Sequence, residues 1–108
     1  MKESSIADLN LALKKKEFSS VELTKFFLKR IGKYNQDLNA VITTSDESAL
    51  IEAEKADTRI AEGNAPDLCG IPILHKDIFC TKNVLTTCGS KMLANFRPPY
   101  NATVVENF

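Results

Sequence analysis

In Leu68-Cys69-Gly70-Ile71-Pro72-Ile73-Leu74-His75-Lys76-Asp77, an apolar run is followed at once by three polar side chains. The run is short and bounded by breakers, with Asn64-Ala65-Pro66-Asp67 before it. That pattern predicts a buried strand with one tight entry. His75, Lys76 and Asp77 then stand at the strand end, where α/β proteins place chemistry. Lys76 is the sharpest of the three. A lysine closing an apolar run is costly to bury as an ammonium, and the neutral amine is a usable general base. Asp77 is the counterweight, because an adjacent carboxylate favours the charged form. The plainer alternative is a Lys–Asp ion pair that holds a turn.

On the N-terminal side the pattern is helical. Ser4 or Ser5 is expected to cap a first helix carrying Ile6, Leu9 and Leu13. Ser19-Ser20-Val21-Glu22 is a capping box, and Leu23, Phe27 and Ile31 follow at four-residue spacing. Gly32 is expected to weaken the end of that helix. After a turn at Asn35-Gln36-Asp37, Ala40-Val41-Ile42-Thr43-Thr44 reads as a short strand. Ser45 or Asp46 is expected to cap a third helix, with Ala49, Ala53, Ala56 and Ile60 inward and Gly63 just past its end. Its acids come early and its bases late, as the helix dipole favours.

On the C-terminal side, Val84-Leu85-Thr86-Thr87 predicts another short strand. Cys88-Gly89-Ser90 predicts a turn, Lys91–Ala94 a short helical piece, and Arg97-Pro98-Pro99-Tyr100 a rigid loop. Asn101 is a good N-cap for a helix with Val104, Val105 and Phe108 on one stripe. The chain stops about a turn and a half into that helix, so the sequence reads as the N-terminal piece of something longer. There is no internal repeat and no linker. Residues 1–108 are expected to be one piece of one domain: helical over 1–63, a strand and loop segment over 64–100, and the start of a helix over 101–108.

Composition narrows the class without naming an activity. Of 108 residues, 44% are hydrophobic and 26% charged, which excludes a disordered or low-complexity chain. Basic and acidic side chains number 14 each, so net charge gives no reason to bind nucleic acid or an anionic membrane. The charge is uneven, with eight basic and four acidic groups in residues 1–35 and two and seven in residues 36–66. Lys14-Lys15-Lys16 and the lysines after it read as a solvated face, with contact to a phosphate or a partner as the alternative. No apolar run approaches the roughly 20 residues that span a bilayer. The sequence enters a helical pattern directly after Ser5, so no signal peptide is expected, and the location expected is cytoplasmic. The three cysteines then read as free thiols.

Other chemistries fit less well. Cys69, His75, Cys80 and Cys88 form a zinc-compatible set, but their spacings contain no Cys-x-x-Cys knuckle. Packing thiols are the expected reading. A cysteine nucleophile with His75 as its base lacks an orienting third group. There is no Gly-x-x-x-x-Gly-Lys and no Gly-x-Gly-x-x-Gly. No metal and no cofactor site is expected in this chain.

The segment Gly70-Ile71-Pro72-Ile73-Leu74-His75-Lys76-Asp77-Ile78-Phe79-Cys80-Thr81-Lys82 resembles the lysine-bearing segment of the amidase signature family. Leu85–Phe96 and Pro98–Val105 resemble the tRNA-dependent glutamine amidotransferase branch of that family. Ser19–Thr24, Arg30-Ile31, Leu38–Ile42 and Ala53–Asp57 match in order and spacing. The resemblance covers the chain from about Ile6 to Phe108. It implies the N-terminal part of an α/β fold with a mixed sheet flanked by helices, incomplete in this chain. It implies amide hydrolysis by a Ser–cis-Ser–Lys triad, with Lys76 as the general base and Asp77 orienting the lysine or its loop. Both family serines lie downstream of this sequence, and Ser90 matches neither. Ser90 lines the cavity or merely satisfies its turn, and His75 stands where the family often has an aliphatic residue. In this branch, glutamine is the substrate and its ammonia passes to partner subunits B and C. These amidate charged tRNA, either Glu-tRNA(Gln) or Asp-tRNA(Asn), using ATP and Mg in the assembled complex. The fragment by itself is expected to be inactive. The alternatives are another amide hydrolase of the family, or a truncated product without catalysis.

Overall fold

The computed structural model describes residues 4–107 and falls into two compact units divided between Ile73 and Leu74. Met1, Lys2, Glu3 and the expected stripe residue Phe108 lie outside the described residues.

Among the described residues, the first unit contains three helices: α1 (Ile6–Lys14), α2 (Ser20–Leu38) and α3 (Asp46–Glu62). Two begin with a reciprocal capping box. Ser5 accepts from the Asp8 N–H while the Asp8 carboxylate accepts from Ser5, and Ser19 and Glu22 repeat the arrangement on α2. Ser45 occupies the N-cap position of α3 without a side-chain bond. Gly63 closes α3 in the left-handed region, φ 79°. Leu9, Leu13 and Leu23 form the core, with Phe18, Phe27, Ile60 and Ile71 packed against it. The small face of α3 lets it approach α2, and Ala53 is buried there.

α2 does not weaken at Gly32; it runs six residues further, to Leu38. Its stop is Asn39, in the left-handed region at φ 48°. One turn earlier, the Asn35 side chain accepts the N–H groups of Ala40 and Val41 and donates to the Val41 carbonyl. Those bonds consume the donors that a strand over 40–44 needs, and no strand forms there.

The expected strand over 68–74 is also absent. Gly70 sits at φ 86°, Pro72 has no N–H, and the Cys69 and Ile71 N–H groups close turns onto Pro66 and Leu68. This is a turn segment folded against the helices. Ser20 Oγ donates to the Gly70 carbonyl at 2.9 Å. A Cβ on Gly70 would meet Ile60 Cδ1 at 3.2 Å and both Leu13 Cδ1 and Ser20 Cβ at 3.3 Å. Lys14 pairs with Asp67 at 3.0 Å, so one residue of the basic run has an intramolecular partner.

Among the described residues, the second unit has one 3-10 turn, Lys91–Leu93, and a one-turn helix α4, Thr103–Glu106. Ser90 caps the 3-10 turn by accepting from the Met92 N–H. The expected cap Asn101 does not cap α4; its side chain accepts the Lys82 N–H at 2.7 Å, and Ala102 takes the cap position. Residues 80–86 and 96–102 run antiparallel. Ala102 N–H donates to the Cys80 carbonyl at 2.7 Å, Asn83 N–H to Pro98 at 2.9 Å and Thr86 N–H to Phe96 at 3.1 Å. Asn83 in the left-handed region, and Pro98 and Pro99 without donors, break this into separate bonds in place of a ladder. The expected strand over 84–87 is therefore absent. Among the described residues there is no strand, so the mixed sheet has no counterpart here. A strand needs a neighbour to take its N–H and C=O groups in a continuous ladder, and these three segments spend most of their bonded donors on turns and side chains, with Thr86 to Phe96 the one cross-segment bond among them.

Candidate active-site segment

The polar triplet opens the second unit. Lys76 is exposed and lies in a turn, its carbonyl accepting the Phe79 N–H at 3.2 Å. Leu74 before it is 73% exposed. Burial at the end of an apolar strand is therefore not what surrounds Lys76 in this structure.

Asp77 is half-buried and tightly held. Its carboxylate accepts the Thr87 N–H at 2.9 Å and the Thr87 hydroxyl. Its carbonyl accepts the Cys88 N–H at 2.8 Å. The Thr87 hydroxyl bond, more than any other contact, holds the Asp77 carboxyl below the usual carboxylate range. The partner residue sits on a tight turn. Ser90 N–H closes onto the Thr87 carbonyl at 2.8 Å, with φ 52° at Cys88 and 68° at Gly89. Two successive positive φ values are what a type I′ turn requires. Cys-Gly supplies the second residue easily and the first at some cost.

The other candidates are dispersed. His75 is exposed beside Lys76. Ser90 is half-buried and its hydroxyl is spent on the 3-10 turn. Cys80 Sγ lies 3.9 Å from the Tyr100 hydroxyl, a contact that pushes the Tyr100 phenol up, and Cys88 is exposed at its turn. Among the described residues no three His, Cys, Asp or Glu side chains stand together as a metal-binding group. The structure thus brings together Asp77 and Thr87, with Lys76 next to Asp77 in the chain. Thr87 is the residue that reading for site chemistry missed. The nearest signal was the Thr-Cys-Gly-Ser turn, which fixes where Thr87 points without naming its partner.

The amidase family model matches residues 22–108, a span holding Lys76, Asp77 and Thr87. The chain belongs to the amidase family. Within that family it is 55% identical, over all 108 residues, to the A subunit of glutamyl-tRNA(Gln) amidotransferase from Saccharophagus degradans. It is 56% identical over 105 residues, 97% of the chain, to the protein of the same name from Nitrosococcus oceani. The Thioalkalivibrio sulfidiphilus protein is 56% identical over 108 residues. In each case the match spans 22% of the relative's length. Among the described residues, no helix is long and apolar enough to cross a membrane.

Proposed function

We propose that this chain is part of the glutamine-hydrolysing subunit of a tRNA-dependent glutamine amidotransferase. The observation that carries the reading is identity of about 55% along the whole chain to the corresponding amidotransferase subunits from several bacteria. That subunit hydrolyses glutamine and supplies ammonia for the ATP-dependent conversion of Glu-tRNA(Gln) to Gln-tRNA(Gln), or of Asp-tRNA(Asn) to Asn-tRNA(Asn). Lys76 is its general base. As a neutral amine it takes the proton of a bridging serine, which activates a nucleophilic serine toward the glutamine carboxamide. Both serines, and the mixed sheet that carries them, belong to the rest of the protein. Ammonia leaves for partner subunits B and C, which hold the charged tRNA in the cytoplasm. ATP and Mg act in the assembled complex, and none of their ligands is assigned to this chain.

Lys76→Ala in the full-length protein, assembled with its partners, tests this. Loss of glutaminase kcat by roughly 100- to 10,000-fold is expected, the range for a missing general base. Transamidation supported by added ammonium should survive. Retained glutaminase activity would overturn the role of Lys76. Glutamine hydrolysis without any amidation of charged tRNA would point instead to another amide hydrolase of the family.

A further inference from the structure

A carboxylate next in sequence is a poor neighbour for a lysine that must be neutral, because it favours the ammonium. Here both oxygens of that carboxylate are taken by one residue ten positions away. Thr87 N–H donates to Asp77 Oδ1 and the Thr87 hydroxyl to Asp77 Oδ2. The Gly89 backbone also bears on the carboxylate, as an uncharged donor. The ion pairs among the described residues are Lys14–Asp67 and Lys55–Glu52, and Asp77 is in neither. The donor is itself fixed, for the Gly89 N–H donates to the Thr87 hydroxyl at 3.2 Å. The Cys88 N–H holds the Asp77 carbonyl from the same side.

We infer that Thr87 is a positioning residue for Lys76: by occupying both oxygens of Asp77 it keeps that carboxylate off the neighbouring amine and pins the peptide from which Lys76 projects. The inference rests on the reading of Lys76 as the general base. It gives Thr87 no contact with substrate.

The test uses the full-length protein in its complex. Thr87→Val removes the hydroxyl at nearly constant shape, and Thr87→Ser keeps it. Thr87→Val should lower glutaminase kcat by on the order of 100-fold, as displacement of a catalytic group does, with KM for glutamine unchanged. The acid limb of its kcat profile should move to higher pH, because Asp77 Oδ2, freed of the hydroxyl, can now pair with the ammonium while Oδ1 keeps its backbone N–H. Thr87→Ser should restore both values. In a Lys76→Ala background, adding Thr87→Val should cost nothing more. Wild-type kcat and acid limb in Thr87→Val overturn the inference, and so does a loss that persists undiminished in the Lys76→Ala background. If Thr87→Val does not fold, Thr87→Ala carries the same test with the same outcomes. Full activity in Lys76→Ala alone is a different failure, that of the base reading itself.

Discussion

The Asp57 carboxylate, midway along α3, accepts the Ser20 backbone N–H at 2.6 Å from 37 residues away in sequence. Its other oxygen accepts the Val21 N–H at 3.2 Å. The first turn of α2 is thus closed twice, locally by Ser19 and Glu22 and from outside by a neighbouring helix. A negative group there also meets the positive end of the helix dipole. The same Ser20 passes its hydroxyl on to Gly70, so α2, α3 and the 66–71 turn meet at one residue.

Asp57→Ala leaves two N–H groups of α2 without partners. The expected cost is about 1–2 kcal/mol, the range for loss of a helix cap. Chemical denaturation followed by circular dichroism measures it. An unchanged midpoint would show that water replaces Asp57 at no cost.

Gly70 and Gly32 make a controlled pair. Gly70→Ala places a Cβ in the left-handed region and against three side-chain atoms, so a loss of about 2 kcal/mol or more is expected. Gly32 is exposed inside α2, and an added Cβ meets nothing within 4 Å. Gly32→Ala should gain roughly 0.5–1 kcal/mol through helix propensity. Opposite signs in the two denaturation midpoints are the expected result, and a loss in both would refute the account of Gly32.

Asp77 makes the second unit acid-sensitive. Its carboxyl is held below the ordinary value in the folded chain, so its contribution is fully present above the unfolded value of about 3.9. That contribution fades as pH falls below this value and through the lower folded one. The Thr87 amide resonance in an NMR titration should therefore keep its bonded position down past pH ~4. In Thr87→Val the transition should move upward, toward the ordinary carboxylate. An identical midpoint in both proteins would show that the hydroxyl does not hold Asp77.

Local signals were legible where local chemistry settles the structure. Ser19 with Glu22, the alanine face of α3 and Gly63 each act within a turn or two, and each stands where the sequence placed it. The expected strands at 40–44, 68–74 and 84–87 failed for a different reason. Apolar runs show a preference for extension, but a strand exists only if a neighbour accepts its hydrogen bonds. Asn35, Pro72 and Pro98 were visible in the sequence, and each removes or diverts a donor that a ladder needs. Asn101 has the chemistry of a cap and spends it on Lys82, a choice that only the folded chain reveals. At the candidate site, the sequence singled out Lys76 and Asp77, but the strand end expected to carry them is a turn. Thr87 was not singled out, because its bond to Asp77 spans ten residues and leaves no periodic trace.

The antiparallel bonds between 80–86 and 96–102 close a neck around the segment that carries the Cys88 turn and Met92. Met92 is 93% exposed at the far end of that segment. A protease that nicks the chain there leaves two ends still tied by the Cys80–Ala102, Lys82–Asn101, Asn83–Pro98 and Thr86–Phe96 pairs. A few residues spliced in beside Met92 cost the Ser90-capped 3-10 turn but leave that neck's own bonds in place, so length variation there is expected to be tolerated by the second unit.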